Sequence, residues 1–341
     1  MKNKKWIALA AAVVLAVTAL PMGVFAAKKD STEEKLTKVT LNEVAHSIFY
    51  APQYVAIEEG YFAEKGLDLT LVTGFGADKT MTAVISGEAD IGFMGAEASV
   101  YAYQEGATDP VVNFAQLTQR AGNFLVAREE MPDFKWEDLK GEKVLGGRKG
   151  GMPEMVFEYI LKKNGIDPQK DLTIDQSIDF GSTAAAFTSD DSAAYTVEFE
   201  PSATILEKEG AGYVVASLGE ASGYVPYTSY SAKTSYMKEN PEIIQKFTDA
   251  LQKGMDYVQS HTPEEIAEVI APQFKETDLE TITAIVKRYY DQDTWKENLI
   301  FEKDSFELLQ DILEDAGELT ERVAYEDLVQ TEYAQKACKG K

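Results

Sequence analysis

The residues best suited to chemistry in this chain are polar side chains, aromatic rings and glycines that follow short apolar runs. Such groups can hold a small molecule, because polar side chains form hydrogen bonds, aromatic rings stack and glycines let the backbone come close. We predict ligand contacts at thirteen positions: His46, Phe49, Tyr50, Gly76, Glu97, Arg148, Gly150, Gly151, Met152, Ser182, Thr183, Glu200 and Tyr227.

Catalysis has little support in the sequence. The two histidines, His46 and His261, lie far apart, and neither a glycine-flanked serine nor a phosphate-binding loop is found. His46 could hydrogen-bond a polar ligand edge while Phe49 or Tyr50 stacks on the ligand, although a structural role in its loop is the alternative. We expect no ligand role for His261, which lies between two predicted helices.

The segment from Arg148 to Glu154 is the sharpest local motif. Its adjacent glycines, Gly150 and Gly151, let a ligand approach the backbone, and free amides at a helix start favour an acceptor or an anion. Met152 would add an adaptable apolar contact. A plain helix start is the alternative, with Arg148 simply solvated.

Three glutamates are candidate acidic contacts. Alternation along a strand places Glu198 and Glu200 on the same face, and burying both would be costly without a donor-rich ligand. We therefore predict that one of them faces the ligand and the other is solvated. We favour Glu200 as the ligand contact, with Glu97 as a further contact. A carboxylate in this setting could accept hydrogen bonds from the amino or imino groups of a heterocycle.

The elements that must position these residues alternate between strand and helix. Apolar runs at Val39–Val44, Leu67–Val72 and Asp90–Met94 are separated by helical patterns at Ala51–Ala63 and Asp78–Glu88. This alternation predicts a parallel sheet with helices on its faces. Ligands of such sheets bind beyond the carboxyl ends of the strands, so the residues after each run should share one rim.

Further along, the pattern predicts a second, smaller α/β unit over about residues 124–218. From residue 240 onward the chain is predicted to be almost wholly helical, with a capping box at Thr262–Glu265. The two segments that join the units, Leu117–Phe124 and Leu218–Ser231, would act as hinges. The fold class is therefore α/β, with a helical extension at the carboxyl terminus.

The amino terminus has the layout of a secretory signal. Three lysines precede an apolar stretch from Trp6 to Leu20, and Pro21 and small residues ending at Ala26 follow. We predict a signal peptide over residues 1–26, cleaved near Ala26, and an exported protein. An uncleaved anchor is the alternative, although the stretch is shorter than the roughly 20 apolar residues of a spanning helix.

Composition narrows the set of partners. The chain has 33 basic and 57 acidic residues and a net charge of −24. A surface with this much negative charge repels phosphate backbones and anionic lipids. No nucleic-acid partner is therefore predicted. Cys338 is the sole cysteine in the sequence, which leaves no intramolecular disulfide or thiolate metal cluster to predict. No metal site and no cofactor are predicted.

An ordered series of short motifs carries a family resemblance: Pro52–Ala56, Glu59–Phe62, Lys65–Asp68 and Gly87–Gly92. In this order and spacing, from about residue 38 to 337, the sequence resembles the solute-binding proteins of ABC importers. The branch is the one that includes nitrate, taurine, aliphatic-sulfonate and thiamine-pyrimidine receptors.

The resemblance implies a type II periplasmic binding protein fold, in which two α/β lobes joined by two crossovers clamp a ligand. We assign residues 27–121 and 226–341 to the first lobe and residues 122–225 to the second. The resemblance also implies a monomer that delivers its ligand to an ABC permease at the membrane.

The ligand implied by the resemblance and the candidate contacts is a small nitrogen heterocycle, such as a thiamine pyrimidine precursor. Relatives that take sulfonates or nitrate tend to have serine and histidine where this chain has Gly150–Pro153, which disfavours the alternative of an anion. A second alternative is an enzyme resembling fungal pyrimidine synthases. Those enzymes carry a cysteine-rich iron site, for which Cys338 alone is insufficient.

Overall fold

The structure, a computed structural model, describes residues 36–178 and 180–339, so the predicted signal peptide lies outside the described residues. Ten strands are found in the described part of the chain: β1 Thr37–Glu43, β2 Leu67–Thr73, β3 Ile91–Gly95, β4 Val111–Thr118, β5 Asn123–Ala127, β6 Lys143–Leu145, β7 Thr173–Asp175, β8 Tyr195–Phe199, β9 Tyr213–Ser217 and β10 Thr228–Lys233. They form two five-stranded sheets. The first sheet has the order β2-β1-β3-β10-β4 and the second the order β7-β6-β8-β5-β9.

Helices connect and cover the strands: α1 Ala51–Glu58, α2 Tyr61–Glu64, α3 Ala77–Ser86, α4 Glu97–Gln104, α5 Met152–Lys163, α6 Thr183–Ser189, α7 Ser202–Lys208, α8 Leu218–Ser222, α9 Thr234–Glu239, α10 Pro241–Ser260, α11 Pro263–Ile270, α12 Leu279–Asp291, α13 Lys303–Asp315, α14 Tyr325–Leu328 and α15 Glu332–Lys339. Short 3-10 turns lie at Ile48–Tyr50, Trp136–Leu139, Phe180–Ser182 and Ala271–Gln273. Among the described residues, no helix is both long enough and apolar enough to cross a membrane.

Burial explains why the apolar runs form strands. Every residue of β3 and β4 is buried, as expected for strands covered on both faces, whereas in β2, at one edge of the sheet, Leu67 alone is buried and exposed residues alternate with partly exposed ones. The helix predicted over Ala51–Ala63 is interrupted. Gly60 has a φ of 72°, a left-handed conformation that ends α1 and starts α2.

The predicted parallel sheet is wrong in one respect, because each sheet is mixed. β10 runs antiparallel to β3 and β4, and β5 runs antiparallel to β8 and β9. The reason is topological. The chain leaves each sheet beside the carboxyl ends of its parallel strands and enters the other sheet at the same kind of edge, so the entering strand must run backwards. The segment predicted as a hinge at Leu218–Ser231 accordingly ends inside β10.

The helical extension contacts both sheets. α10 packs on α1 and α15 beside the first sheet, whereas Arg288 of α12 donates hydrogen bonds to Glu200 and Glu207 beside the second. Tyr289 of α12 donates to the Gly122 carbonyl at 2.8 Å. Strands up to residue 118 and from residue 228 belong to the first sheet. The predicted lobe boundaries near residues 121 and 225 stay a prediction, since α12 contacts the second sheet.

Candidate functional site

The carboxyl-terminal edges of the two sheets contact each other. Tyr101, in the helix after β3, donates a hydrogen bond to the Gly150 carbonyl at 3.1 Å, between β6 and α5. Arg148 and Asp78 form an exposed ion pair at 3.5 Å between the same two edges. Gly76, at the start of α3, lies at this edge as well. The structure thus brings residues predicted from both halves of the sequence into one region.

We call this region the cleft and define it by Phe49, Tyr50, Glu97, Met152 and Tyr227, all of which are buried. Its walls are aromatic. The ring of Phe49 lies 5.2 Å from that of Tyr50 and 5.7 Å from that of Tyr227. An aromatic wall suits a flat, apolar ligand face, which rings contact by stacking.

Glu97 is the acidic group of the cleft. It starts α4, is only 4% exposed, and its Oε2 atom has no protein hydrogen-bond partner. Burial raises its pKa to about 7, against the opposing effects of its own and the Met152 backbone N–H groups and of the Arg148 charge. A Cβ on Gly95 would lie 2.0 Å from Oε2, so a glycine at that position leaves room for the carboxylate.

Of the helices that begin at the cleft edges, three have their own carboxyl group in the first turn, whereas α1, which follows Tyr50, has none. The three carboxyl groups are those of Asp78 in α3, Glu97 in α4 and Glu154 in α5. The Gly150 amide, which the sequence offers to an acceptor ligand, donates instead to Glu154 at 3.1 Å. Burial and a hydrogen bond with Glu158 raise the pKa of Glu154 to about 8. Three of the helix termini that could attract an anion therefore already face acidic side chains.

Three further residues at the segments that join the sheets have buried polar atoms without a protein partner: Arg120, at its Nε atom, Asn123 and Tyr227. Asn123 is the first residue of β5, and neither its amide nitrogen nor its amide oxygen has a partner. The hydroxyl of Tyr227, just before β10, likewise has no hydrogen-bond partner. Tyr227 was predicted, whereas Asn123 was missed. Asn123 lies at the end of a joining segment, where an apolar strand begins, and this position could have indicated it as a candidate.

His46 is engaged by the protein on both sides of its ring. Nδ1 lies 2.8 Å from Glu43 Oε1 and Nε2 lies 3.0 Å from the Gln273 carbonyl. Both partners are acceptors, so the arrangement favours the doubly protonated ring. The hydrogen bond to Glu43 raises the pKa of His46, with burial opposing it and Gln273 adding to it. This geometry matches the structural alternative stated for His46.

The raised pKa of His46 predicts a pH-dependent contribution to stability. A histidine whose pKa is raised by folding stabilises the protein below its unfolded pKa of about 6.5, and that contribution is lost as the pH rises through the folded pKa. We expect the free energy of unfolding of wild type relative to His46→Gln to fall as pH rises above about 6.5. Urea denaturation of both proteins measures this difference. Curves that stay parallel over that range would contradict the assignment.

The remaining predicted contacts lie elsewhere. Both oxygens of Glu200 accept hydrogen bonds from the protein, from Arg288 at 2.6 Å and from Thr204 at 2.9 and 3.0 Å. Thr183 is buried and hydrogen-bonds to Glu198, whereas Ser182 is exposed. Glu198 is buried rather than solvated, and its Oε2 lacks a partner. Alternation in β8 places Glu198 on the face opposite Phe199, whose ring lies 6.2 Å from that of Phe49 in the cleft.

An open depression of about 300 Å³ lies between α12 and the second sheet, lined in part by Phe124, Lys287 and Arg288. Both of its cations are already paired. Lys287 contacts Asp291 at 2.7 Å, and Arg288 contacts Glu200 and Glu207. Since its cations are paired, we place the candidate site at the cleft, where Glu97 and Tyr227 have buried polar atoms without a protein partner.

Comparison with known proteins finds relatives that are named as binding proteins. YtlA of Bacillus subtilis (strain 168), whose name describes it as a candidate binding protein, is 47% identical over 312 residues, which cover 92% of this chain and 93% of YtlA. The riboflavin-binding protein RibY of Chloroflexus aurantiacus is 25% identical over 236 residues, 67% of this chain and 65% of RibY.

Among solved structures, the alkanesulfonate-binding protein SsuA from Xanthomonas axonopodis pv. citri, bound to MOPS, matches with a TM-score of 0.69. The match covers 87% of this chain and 99% of SsuA at 15% sequence identity, so it shows a likeness of fold alone. The predicted fold class, the α/β fold of periplasmic binding proteins with helices at the carboxyl terminus, is thereby confirmed. A family model described as NMT1/THI5 like matches residues 48–266, and with the identity to YtlA it shows that the chain belongs to the NMT1/THI5-like family.

Proposed function

We propose that the protein is an extracytoplasmic solute-binding receptor of an ABC importer. In this proposal it holds one small molecule between its two sheets, without chemical change, and delivers it to a membrane permease. The family, the fold and the likeness to YtlA support the binding role. Export by the predicted signal peptide and action as a monomer are parts of the same proposal.

The observation that carries the proposal is the unpartnered carboxylate oxygen of Glu97 beside an aromatic wall. A buried charged acceptor without a donor costs free energy, and a ligand that brings an N–H group would offset that cost. The rings of Phe49, Tyr50 and Tyr227 would cover the flat faces of such a ligand.

This combination favours a nitrogen heterocycle with at least one donor, and we propose a thiamine pyrimidine precursor as the representative ligand. A carboxylate accepts hydrogen bonds and cannot donate them when ionised. The amino group of an aminopyrimidine can donate to this carboxylate, and the aromatic wall can stack on the pyrimidine ring. The riboflavin named for RibY belongs to the same broad class of ligand.

The alternative of a sulfonate or nitrate fits the cleft less well. Such an anion would need unoccupied amides or cations, but Asp78, Glu97 and Glu154 stand in the first turns of three of the helices that start at the cleft. Glu97 in its ionised form would repel the anion directly. The likeness to SsuA concerns the fold and brings no ligand with it.

The alternative of a pyrimidine-synthase-like enzyme has no positive support in the cleft. The groups gathered there are an acid, a phenol, an amide and aromatic rings, without a lysine or histidine at hydrogen-bonding distance from Glu97 among the described residues. A set of this kind binds and orients a ligand. We therefore propose a receptor without enzymatic activity.

Thermal unfolding of the purified protein with a panel of probes tests the proposal. The probes are 4-amino-5-hydroxymethyl-2-methylpyrimidine and riboflavin as heterocycles, and taurine and nitrate as anions. We expect a heterocycle to stabilise the protein by about 2.7 kcal/mol at a hundred times its dissociation constant, and the anions to leave it unchanged. Stabilisation by taurine or nitrate, with none by either heterocycle, would overturn the proposed ligand class.

A further inference from the structure

Each of the two segments that join the sheets ends in a buried polar side chain without a protein partner. Asn123 opens β5 and is fully buried, and Tyr227, which precedes β10, is 3% exposed. Most buried polar side-chain groups in folded proteins are hydrogen-bonded, because an unpaired one pays its full desolvation cost. Both atoms of the Asn123 amide and the Tyr227 hydroxyl depart from this rule.

Strand register places the Asn123 side chain on the cleft side of the second sheet. Asn123 pairs directly with Phe199 across the antiparallel strands β5 and β8, so their side chains share one face. The ring of Phe199 lies 6.2 Å from Phe49 and 6.5 Å from Tyr227, both of which line the cleft. The next residue, Phe124, faces the other way and has Arg288 over its ring at 5.2 Å.

The backbone that precedes Asn123 is fixed by hydrogen bonds from α12 and the residue that follows it. The Gly122 carbonyl accepts from Tyr289 and the Ala121 carbonyl accepts from Gln292 at 3.1 Å. The two joining segments are also bonded to each other, from the Val225 amide to the Gln119 carbonyl at 2.9 Å. A side chain on such a support is preorganised, and preorganisation lowers the cost of binding.

We propose that Asn123 determines ligand specificity, by reading a ligand edge that presents a hydrogen-bond donor beside an acceptor. A primary amide offers a carbonyl and an NH2 group in one plane, so it pairs with an aminopyrimidine, lactam or imide edge through two hydrogen bonds. Tyr227 supplies a further hydroxyl contact at the same floor of the cleft. This inference rests on the proposed function and adds to it the edge pattern that the ligand must carry.

Calorimetric titration of wild type and Asn123→Ala with 4-amino-5-hydroxymethyl-2-methylpyrimidine and with riboflavin tests the inference. Both probes carry a donor beside an acceptor. For the probe that wild type binds, we expect Asn123→Ala to lower the affinity by about tenfold to a hundredfold. The 4-dimethylamino analogue of the pyrimidine, which lacks the donor, should bind wild type weakly and lose little more in the variant.

Stability without ligand separates this role from a structural one. Because Asn123 has no protein partner, Asn123→Ala should unfold at the wild-type temperature or above it. The matched control is Asn113→Ala, since the Asn113 amide bonds to Ser99, Leu328 and Ser229 and its loss should lower that temperature.

The outcomes are distinct. Wild-type affinity in Asn123→Ala, with a probe that wild type binds, would overturn the inference and leave the proposed function standing. A wild-type protein that binds neither heterocycle would overturn the proposed function, and the inference with it.

Discussion

Replacing Glu97 with glutamine is expected to weaken the binding of 4-amino-5-hydroxymethyl-2-methylpyrimidine by about a hundredfold or more. The substitution exchanges a buried charged acceptor for a neutral amide of the same shape. One of its two ends then presents an NH2 group to the ligand donor, so a charge-assisted hydrogen bond is replaced by a weaker bond or a clash of donors.

Isothermal titration above pH 7, where Glu97 is mainly ionised, measures this loss. Glu105→Gln is the matched control, because Glu105 caps the same helix at its exposed end and should leave affinity unchanged. Equal affinities of wild type and Glu97→Gln for the pyrimidine would remove Glu97 from the site.

The same substitution, which weakens ligand binding, should raise the stability of the ligand-free protein. Burial raises the pKa of Glu97 to about 7, so ionising it in the folded state becomes costly as the pH rises from the unfolded pKa of about 4.3 through 7. We expect Glu97→Gln to be more stable than wild type by up to about 3 kcal/mol above pH 7 and equally stable near pH 4. Urea denaturation at both pH values reports the difference.

Replacing Glu43 with alanine is expected to destabilise the fold by about 3–5 kcal/mol. Glu43 is fully buried at the end of β1, and its carboxylate accepts from Gln53 at 2.7 Å, Tyr54 at 2.8 Å and His46 at 2.8 Å. Alanine would leave the buried Tyr54 hydroxyl and Gln53 amide without an acceptor, and each such group costs about 1–3 kcal/mol.

Glu43→Gln is the matched control, since it keeps one acceptor oxygen and the shape of the side chain. The free energy of unfolding from urea denaturation should therefore rank wild type above Glu43→Gln and Glu43→Gln above Glu43→Ala. A loss below about 1 kcal/mol in Glu43→Ala would mean that the network contributes little, as is common for exposed ion pairs.

Strand positions in this fold were predictable because hydrophobic runs report burial directly. The runs at Val39–Val44 and Leu67–Val72 agree with β1 and β2 to within two residues at each end. β10 was not predicted, because its sequence, with Ser229 and Ser231 on one face, reads as polar although both serines are buried. Ser229 is stabilised by a hydrogen bond to Asn113, a pairing that no local pattern reveals.

The candidate site was only partly predictable for a related reason. Position after a strand brought Tyr50, Glu97 and Met152 to the cleft, since strand order fixes which loops meet. Whether a polar side chain is left free or is held by the protein depends on partners distant in sequence. His46 and Glu200 are held by Gln273 and Arg288, whereas Asn123 is left without a partner.

The measurement that most directly tests the central claim is a crystal structure of the protein with 4-amino-5-hydroxymethyl-2-methylpyrimidine. The account predicts the ring between Phe49, Tyr50 and Tyr227, with the amino group about 3 Å from the Glu97 carboxylate. A ligand seated outside the cleft, or a cleft that takes up an added sulfonate at Gly150 and Gly151 instead, would contradict it.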